Sequence, residues 1–459
     1  MRGYMDFPKR LPTGKGSSPA DRCGGVVDYP PPVKSLLEAG GASEGDRVRV
    51  TGARTYEGVV MPHTEFSGAD ILVVKLDTGY NVGIPAAEIR GLKVLEQGRP
   101  PASARALPPP KPGKPTVAVL GTGGTIASYV DYRTGAVHPA VTAEDLVFSV
   151  PELLDVCNVR ARVVYSVYSE NLAPKNWQEL AVEAATELNA GAGAVIIPHG
   201  TDTLHYTSAA LAFMLRDLPG PVVLVGSQRS SDRPSSDAAF NLVCAARLAA
   251  EDLGEVVTCM HHETGDTSCD VLRGTKVRKM HASRRDAFKP INDRRLGAVH
   301  ADGTTAWEGS VVPRQKGPVR AESELDPEVE LVYFHPGLTA RRFEGLTHGC
   351  HGVVIAGTGL GHVSDDLMQP IRKLAADGVP VVMTTQCLNG RVGLRVYDKG
   401  RDLLAAGVIP GEDMLPEVAL VKMMWVLGQT KSADEVRQLM ATNLAGEINP
   451  AITLDEYVF

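Results

Sequence analysis

Residues Thr116–Leu120 read TVAVL and run directly into the glycine-rich string Gly121-Thr122-Gly123-Gly124-Thr125-Ile126-Ala127. Farther along the chain, Ala194–Pro198 reads AVIIP and runs into His199-Gly200-Thr201-Asp202-Thr203. An apolar run without alternation is typical of a strand buried on both faces, and therefore of a parallel sheet covered by helices. Ligands bind at the carboxyl ends of such strands. The two motifs therefore predict a site at one sheet edge, where threonine hydroxyls and an aspartate lie close together.

Strand and helix patterns alternate around and after these motifs, which favours an α/β fold with a parallel sheet. Further buried strands are predicted at Val222–Val225, Val353–Ala356 and Val379–Met383. Helical spacing is found at Asn176–Asn189, Ser208–Arg216, Asp237–Asp252, Asp365–Asp377 and over much of Glu417–Asn443. The alternation is interrupted by a polar, proline-containing stretch at Pro313–Pro327 and resumes near Leu331. We therefore predict two α/β lobes, residues 115–330 and 331–459.

The sequence before the first lobe differs in composition and in its pattern of apolar residues. Residues 1–35 are mostly polar and contain many glycines and prolines, which predicts a flexible extension. Residues 36–96 contain short alternating runs such as Arg47–Val50 and Tyr56–Val60, separated by Gly/Asp turns, which predict a small antiparallel β-barrel. Residues 97–114 (QGRPPASARALPPPKPGK) are rich in proline and predict an extended linker between domains.

Composition limits the classes of function. The chain has 459 residues, 43% hydrophobic and 22% charged residues, and a formal net charge of −7. This balance argues against a protein whose main task is to grip a phosphate backbone. The seven cysteines include no CxxC pair, and no apolar run reaches the roughly 18 residues of a membrane span. We therefore expect a soluble, cytoplasmic protein with reduced thiols and no membrane contact.

The chemistry of the first motif has two interpretations. Glycines after a strand allow backbone amides to approach a ligand, so Gly121–Ala127 is consistent with a phosphate-binding turn or a plain tight turn. The spacing matches neither GxGxxG nor the P-loop pattern. The other interpretation is that Thr125 is a catalytic hydroxyl.

The second motif also has two interpretations. Thr201 and Asp202 could cap the helix predicted to begin near Ser208, which is a common use of both residue types. Alternatively, both side chains converge in a turn, where the threonine hydroxyl needs a base to take its proton. A desolvated lysine can be that base, and candidates lie in Lys276–His281 (KVRKMH). Such a basic run is also typical of a solvated face.

Two other strings have the composition of ligand sites. The adjacent residues His261-His262-Glu263 lack the i, i+4 geometry of helical zinc ligands, so we predict no metal site. Gly357–Gly361 is consistent with either a second phosphate cradle or a tight turn.

Three strings together resemble the asparaginase/glutaminase amidohydrolase family: LGTGGTIAS (Leu120–Ser128), PHGTDTLHYTS (Pro198–Ser208) and GSQRSSDRPSSDAAFNL (Gly226–Leu242). The resemblance covers roughly residues 115–440. It implies an asparaginase-like core of two α/β lobes and hydrolysis of a side-chain amide through an acyl-enzyme. The residues that match the catalytic set of the family are Thr125, Thr201, Asp202 and Lys279, with Lys276 as the alternative lysine. Ser169 and Glu170 match the loop that holds the substrate's α-amino acid end, and Tyr132 matches the mobile-loop tyrosine.

The barrel, the linker and the string RGTKVRKMHASRRDAFKPIN (Arg273–Asn292) resemble one branch of that family, the D-type subunits of archaeal Glu-tRNA(Gln) amidotransferases. The resemblance implies release of ammonia from glutamine or asparagine and its delivery to a partner, the E-type subunit. The partner is implied to bind Glu-tRNA(Gln), ATP and Mg²⁺, so that this chain itself carries no cofactor. A heterodimer, or a dimer of heterodimers, is the implied assembly.

Two alternatives remain at this point. A free-standing asparaginase or glutaminase would use the same residues, although simple hydrolysis needs neither the barrel nor the linker. A binding module without catalysis would use the glycine turns to hold a nucleotide or an amino acid. Intact binding of an amide without turnover would favour that second alternative.

Overall fold

The structure is a computed structural model that describes residues 29–61, 70–76, 81–97, 107–122, 128–130, 137–139, 150, 152–229 and 236–452. The described residues up to 97 belong to one compact unit, and those from 107 onward belong to a second. No helix within these ranges is both long and apolar enough to cross a membrane.

The first unit is an antiparallel sheet with one helix. It contains α1 (Pro31–Gly40), β1 (Arg47–Thr51), β2 (Thr55–Val60), β3 (Ile71–Leu76), β4 (Asn81–Pro85), a 3₁₀ turn (Ala86–Glu88) and β5 (Gly91–Glu96). The five strands pair in the order β4-β3-β2-β1-β5, and every pairing is antiparallel. Alternate residues such as Val48 and Val50 are buried while Arg49 is exposed, because successive side chains of a strand point to opposite faces. The prediction of a small antiparallel β-barrel domain is confirmed in its antiparallel architecture, which the described strands form as one five-stranded sheet.

Helix α1 corrects the predicted extent of the flexible extension, residues 1–35. Its first residue is Pro31, whose fixed backbone angle suits the start of a helix. Gly41 ends it in the left-handed conformation at φ 61°. Val33 and Leu37 lie on the same face and are buried against the core of the sheet. The helix was missed because only two apolar residues mark its buried face.

The described end of the predicted linker, residues 107–114, is attached to the second unit. The backbone N–H of Lys111 donates to Asn158 Oδ1 at 2.7 Å, and Asn158 Nδ2 donates to the carbonyl of Lys114 at 3.1 Å. Lys114 Nζ donates to the carbonyl of Leu154 at 2.7 Å, and Leu107 packs against the apolar core. The end of the predicted linker is therefore tied to the second unit, because Asn158 and the carbonyl of Leu154 supply hydrogen-bond partners to it.

The second unit is built on an eight-stranded sheet in the order β18-β17-β14-β13-β12-β10-β6-β9. Five of these strands are parallel: β6 (Thr116–Gly121), β9 (Asn158–Val163), β10 (Ala194–Pro198), β12 (Val222–Val225) and β13 (Val256–His261). The others extend it antiparallel: β14 (Ser268–Arg273), β17 (Gly297–His300) and β18 (Thr305–Trp307). The predicted buried strands at 116–120, 194–198 and 222–225 are confirmed.

Short strand pairs complete the lobe: β7 (Ser128–Val130) with β8 (Val137–Pro139), β11 (Leu215–Arg216) with β19 (Arg320–Ala321), and β15 (Val277–Lys279) with β16 (Phe288–Pro290). The helices are α2 (Leu153–Val156), α3 (Pro174–Asn189), α4 (Leu204–Met214) and α5 (Ala238–Arg247), with 3₁₀ turns at Ser169–Asn171 and Leu248–Ala250. Helix α4 begins four positions before the predicted start at Ser208, so the second motif leads straight into it.

The C-terminal lobe is a four-stranded parallel sheet in chain order: β20 (Val329–Tyr333), β21 (Gly352–Gly357), β22 (Val381–Thr385) and β23 (Ile409–Pro410). Its helices are α6 (Ala340–Leu346), α7 (Asp365–Ala376), α8 (Asp398–Ala405), α9 (Pro416–Gln429) and α10 (Ala433–Ala441). The predicted boundary between residues 330 and 331 falls inside β20. The lobe therefore begins before Val329, because the proline-containing stretch ends with Pro327 and the strand follows almost at once.

Helices α4 and α9 bring the two lobes together in one apolar core. Phe213 and Trp425 stack with their ring centroids 6.2 Å apart, and Phe213 is fully buried. Burying an aromatic or aliphatic side chain of this size contributes about 1.5–3 kcal/mol. The C-terminal lobe is thereby packed against the helix that follows the second motif.

Candidate active site

The two threonine motifs meet at one edge of the large sheet. Strands β12, β10 and β6 are neighbours, and their carboxyl ends lead into Gly226, His199 and Thr122. Thr122 Oγ1 donates to the carbonyl of Pro198 at 2.8 Å, so the end of the first motif strand is bonded to the end of the second. The predicted residue Thr125 and the remainder of its turn, 123–127, lie outside the described residues.

The second motif forms a turn that does not cap the following helix. Helix α4 begins at Leu204, and its N-cap residue Thr203 makes no capping hydrogen bond with its side chain. Thr203 Oγ1 donates instead to the carbonyl of Ser169 at 2.7 Å. The capping interpretation of Thr201 and Asp202 is therefore wrong, because their side chains contact a different segment.

That segment is β15, which ends in Lys279. Lys279 Nζ donates to Thr201 Oγ1 at 2.9 Å and to Asp202 Oδ1 at 2.8 Å. The side chain of Lys279 is 10% exposed, whereas that of Asp202 is 67% exposed and open to solvent. An amine that touches both a hydroxyl and a carboxylate is positioned to exchange a proton with the hydroxyl. Three of the predicted catalytic residues are thus in direct contact.

The alternative lysine, Lys276, lies elsewhere. Its side chain is buried, and Nζ pairs with Asp413 Oδ2 at 2.6 Å. Burial lowers the pKa of Lys276, and the carboxylate of Asp413 opposes that effect. Between the two lysines of the basic run, only Lys279 reaches Thr201.

Ser169 and Glu170 occupy a 3₁₀ turn, Ser169–Asn171, beside the second motif. Ser169 is buried against Gly200, where a Cβ would lie 2.7 Å from Ser169 Cβ and 2.8 Å from its Oγ. Only glycine allows the two segments to approach this closely. Glu170 follows on the same turn with an exposed side chain. Tyr132, predicted with them, lies outside the described residues.

A series of buried hydrogen bonds stabilises the turn of the second motif, His199–Thr203. Trp177 Nε1 donates to Thr207 Oγ1 at 3.0 Å, and Thr207 Oγ1 lies 2.9 Å from His199 Nε2. His199 Nδ1 lies 2.7 Å from the carbonyl of Gly200. This pattern suits a neutral ring that donates from Nδ1 and accepts at Nε2. Burial lowers the pKa of His199 to about 4, which agrees with the neutral form.

Sequence reasoning missed Asp237, which holds the loop after β12. Its buried carboxylate accepts from Ser227 Oγ at 2.9 Å and from the backbone N–H groups of Gln228 and Arg229 at 3.0 Å. The loop begins at Gly226, where a Cβ would lie 2.8 Å from Thr201 Cγ2. The signal in the sequence was Asp237 directly before a helix, in the segment that follows β12 and begins with Gly226-Ser227.

Three arginines that follow the basic run, Arg284, Arg285 and Arg295, are engaged in ion pairs. Arg284 pairs with Asp286, Arg285 with Asp266, and Arg295 with both Asp270 and Glu308. These guanidinium groups already face carboxylates, which reduces the positive charge that they present to a phosphate backbone. The solvated-face interpretation of Lys276–His281 fails for its cations, because the side chains of Lys276 and Lys279 are 2% and 10% exposed and Arg278 pairs with Glu417.

The two adjacent histidines, His261 and His262, bind different partners. His261 Nδ1 lies 2.5 Å from Asn241 Oδ1, and His261 Nε2 lies 2.9 Å from Asp266 Oδ1. His262 Nδ1 lies 3.0 Å from Asp270 Oδ1. Within the described part of the chain, no group of three or more His, Cys, Asp or Glu side chains is arranged to hold a metal ion.

Comparison with known families covers nearly all of the described chain. Residues 116–311 match the model "Asparaginase, N-terminal", and residues 328–440 match "Glutaminase/Asparaginase C-terminal domain". Residues 42–95 match "GatD N-terminal domain". The predicted family resemblance is therefore confirmed for both lobes and for the N-terminal domain.

Among solved structures, the chain is similar to the thermostable L-asparaginase of Thermococcus kodakarensis, with a TM-score of 0.66 and 34% identity. That match covers 73% of this chain and 100% of the asparaginase. A probable cytoplasmic L-asparaginase of Campylobacter jejuni has a TM-score of 0.61 and 26% identity, over 72% of this chain. A complete asparaginase thus leaves about a quarter of this chain unmatched, and the N-terminal domain lies in a separate family model.

Relatives that match almost end to end share one description, the D-type subunit of a glutamyl-tRNA(Gln) amidotransferase. That of Pyrococcus abyssi is 49% identical over 435 residues, which are 93% of this chain and 99% of the relative. That of Pyrococcus furiosus is 50% identical over 91% of this chain and 98% of the relative. That of Methanothermobacter thermautotrophicus is 46% identical over 92% of this chain and 98% of the relative. The chain therefore belongs to the family of D-type glutamyl-tRNA(Gln) amidotransferase subunits, a branch of the asparaginase-like amidohydrolases.

Proposed function

We propose that this chain releases ammonia from the side-chain amide of glutamine or asparagine, as the amidase subunit of a Glu-tRNA(Gln) amidotransferase. The observation that carries the proposal is the contact of Lys279 with Thr201 and Asp202 at the carboxyl end of the sheet. A hydroxyl, an amine and a carboxylate in contact form the set that an activated hydroxyl nucleophile needs. The D-type relatives supply the biological context for this chemistry.

The reaction has two steps. A threonine Oγ forms a bond with the carboxamide carbon and gives up its proton to the neighbouring base. The C–N bond then breaks, and ammonia leaves with a proton from the same relay. Water attacks the resulting ester and releases glutamate or aspartate and the free hydroxyl. We assign Thr125 as the nucleophile and Thr201, Asp202 and Lys279 as the relay, with the exchange of the two threonine roles as the alternative.

The substrate is oriented by groups around this set. Backbone N–H groups of the glycine turns stabilise the negative oxygen that develops on the amide carbon. Ser169 and Glu170 bind the α-amino acid end of the substrate, and Tyr132 is a further substrate-binding residue. The contact of Ser169 with Gly200 supports this role, because it places the 3₁₀ turn directly beside the second motif.

The ammonia is consumed on a partner, the E-type subunit of the amidotransferase. That partner binds Glu-tRNA(Gln), ATP and Mg²⁺ and makes Gln-tRNA(Gln) in the cytoplasm, while this chain carries no cofactor. A dimer of heterodimers is the proposed assembly. The net charge of −7 and the paired arginines support a division in which the nucleic-acid work belongs to the other chain.

The test is ammonia release from glutamine and from asparagine by the purified chain, alone and with the E-type partner, ATP, Mg²⁺ and Glu-tRNA(Gln). Weak turnover alone and strong stimulation by the complete mixture would support the proposal. Full turnover that is indifferent to the additions would instead favour a free-standing asparaginase or glutaminase. Binding of either amide without turnover in any mixture would contradict both assignments.

A further inference from the structure

Two ion pairs connect the C-terminal lobe to the segment that carries Lys279. Lys276 Nζ pairs with Asp413 Oδ2 at 2.6 Å, and Arg278 Nη1 pairs with Glu417 Oε2 at 3.3 Å. Asp413 lies just before helix α9, and Glu417 lies in the first turn of that helix. The two carboxylates thus lie at the start of helix α9, and the cations that they bind lie in β15 and directly before it.

The spacing of the cations explains how the strand is held. Lys276 and Arg278 are two positions apart and both meet carboxylates of the C-terminal lobe. Successive side chains of a strand point to opposite sides. Lys279 therefore projects away from Arg278 and reaches Thr201 and Asp202.

We propose that Asp413 and Glu417 are positioning residues, which fix strand β15 so that Lys279 contacts Thr201 and Asp202. This proposal rests on the proposed function, because it takes Lys279 to be part of the amide-hydrolysing set. We name the two ion pairs, Lys276–Asp413 and Arg278–Glu417, the lobe clamp. Through the lobe clamp, the C-terminal lobe sets the geometry of a site whose other described residues belong to the N-terminal lobe.

The burial of its charged side chains indicates that the lobe clamp positions strand β15 and contributes little to the stability of the fold. Asp413 and Glu417 are 1% and 2% exposed, and Lys276 is 1% exposed. Burying charged pairs costs desolvation energy, and replacing them with apolar residues is often neutral or stabilising. A charged pair has a directional geometry that an apolar contact lacks.

The two pairs differ in how completely their groups are satisfied. Asp413 also accepts from the backbone N–H of Asn449 at 3.0 Å, and its carbonyl accepts from Asn292 Nδ2 at 2.9 Å. Glu417 Oε1, in contrast, has no hydrogen-bond partner among the described residues and lies 3.9 Å from His205 Nε2. Glu417 is therefore the member of the lobe clamp that a substitution can change with the fewest other losses.

His205 does not neutralise Glu417. Burial and the nearby Arg278 and Lys279 lower the pKa of His205 to about 3, so that its ring is neutral. Burial raises the pKa of Glu417, and Arg278 opposes that effect. Arg278 is thus the cation on which the charge of Glu417 depends.

The experiment measures kcat and KM for glutamine and asparagine with the full chain and its partner. The variants are Glu417→Gln, Arg278→Met and the double variant. Each single variant is expected to lower kcat at least about tenfold, a loss equal to about 1.4 kcal/mol, with little change in KM. The double variant is expected to be no slower than the slower single variant, because both substitutions break one interaction.

The matched control is Asp326→Asn. Asp326 is 8% exposed, pairs with Lys431 at 2.7 Å, and donates from its backbone N–H to the carbonyl of Met424 in the second half of helix α9. It contacts neither β15 nor Thr201 among the described contacts, so Asp326→Asn is expected to lower the melting temperature without lowering kcat. An equal fall of kcat in this control, or additive losses in the double variant, would overturn the proposal.

Hydrogen exchange separates this proposal from the proposed function. Amide hydrogens of β15 (Val277–Lys279) are expected to exchange faster in Glu417→Gln and in Arg278→Met than in the parent chain. Arg278 has a 27% exposed side chain, so its variant remains foldable if the glutamate variant is not. Faster exchange of the β15 amide hydrogens in a chain that hydrolyses no amide would support the lobe clamp and contradict the proposed function. Unchanged exchange together with an unchanged kcat would contradict the lobe clamp alone.

Discussion

Lys279 Nζ lies 2.9 Å from Thr201 Oγ1, although the two residues are 78 positions apart in the chain. The threonine follows a parallel strand of the central sheet, and the lysine ends a two-stranded antiparallel ribbon. The same amine also meets Asp202 at 2.8 Å. The contact joins two independent segments into one polar set, on which the proposed amide hydrolysis depends.

The first prediction concerns this amine. Lys279→Met keeps most of the length of the side chain but removes the amine that contacts Thr201 and Asp202. We expect kcat for glutamine hydrolysis to fall by about two orders of magnitude or more, because a general base is lost. The fold should persist, since Asp202 is 67% exposed and water replaces the lost partner.

The control for this variant is Lys431→Met. Lys431 Nζ pairs with Asp326 at 2.7 Å in the C-terminal lobe, and its side chain is 72% exposed. Because the lysine is exposed and the 9% exposed Asp326 keeps His351 as a second partner, the loss of stability should be about 1 kcal/mol or less, and activity should stay close to that of the parent chain. Near-parental turnover in Lys279→Met would contradict the proposed catalytic set.

The second prediction separates the hydroxyl of Thr201 from its methyl group. The methyl carbon packs against Gly226, so Thr201→Ser removes packing and Thr201→Val removes only the hydroxyl. We expect Thr201→Val to lose about 100-fold or more in kcat, because the nucleophile or relay is gone. Thr201→Ser should retain substantial turnover, and rapid-quench kinetics would measure whether an acyl-enzyme still accumulates. Near-parental turnover in Thr201→Val together with a large loss in Thr201→Ser would show that packing, and not the hydroxyl, matters.

The third prediction tests the close approach of Gly200 to Ser169. In Gly200→Ala the new Cβ would lie 2.7 Å from Ser169 Cβ, so one segment must move. Overpacking of this kind costs about 1–3 kcal/mol of unfolding free energy. If Ser169 and Glu170 bind the substrate, KM should also rise, which steady-state kinetics would show.

Gly345→Ala is the matched control for that substitution. Gly345 lies in helix α6, and a Cβ there meets no atom within 4 Å. The change should be neutral or stabilise the helix by up to about 1 kcal/mol, since alanine is the better helix former. If Gly200→Ala behaved like this control, the close contact with Ser169 would not constrain the site.

The fourth prediction concerns the stability of the chain at low pH. Burial lowers the pKa of His199 from 6.5 to about 4 in the folded chain. As the pH falls, the His199 ring is therefore protonated in the unfolded chain before it is protonated in the folded chain. Stability should therefore decrease from about pH 6.5 toward pH 4, by up to about 1.4 kcal/mol per pH unit from this residue. Thermal melts at pH 7 and pH 5 would measure the loss.

His199→Gln supplies the comparison for those melts. The variant should be less stable at pH 7, because the hydrogen bonds to Thr207 and Gly200 are altered. Its additional loss between pH 7 and pH 5 should be smaller than that of the parent chain. An identical pH dependence in both chains would mean that His199 is not responsible for it.

Several elements could be predicted because their signals are local. The strands at Ala194–Pro198 and Val222–Val225 occur where unbroken apolar runs were found, since burial on both faces needs apolar residues at every position. Helix α1 and strand β15 were missed for the opposite reason. Helix α1 shows only Val33 and Leu37 as a buried face, and β15 lies within a run of charged residues.

The candidate site was predictable only in part. Motif resemblance identified Thr201, Asp202 and a lysine, Lys279 with Lys276 as the alternative, as one set, and the structure brings Lys279 into contact with the other two. Asp237 escaped notice because an aspartate before a helix has many uses, and its contacts with Ser227 and Gln228 depend on the fold of the loop. The lobe clamp escaped notice because its members are about 140 positions apart.

The sequence by itself determined the α/β architecture, the antiparallel N-terminal domain and the strand ends where the threonine motifs meet. Apolar periodicity and turn residues encode these features over short distances, because they follow from the geometry of a single strand or helix. Tertiary structure alone decided which lysine reaches Thr201. Lys276 and Lys279 belong to one basic run with the same local signal, but a carboxylate of the C-terminal lobe binds Lys276, and the β15–β16 ribbon carries Lys279 to Thr201 and Asp202.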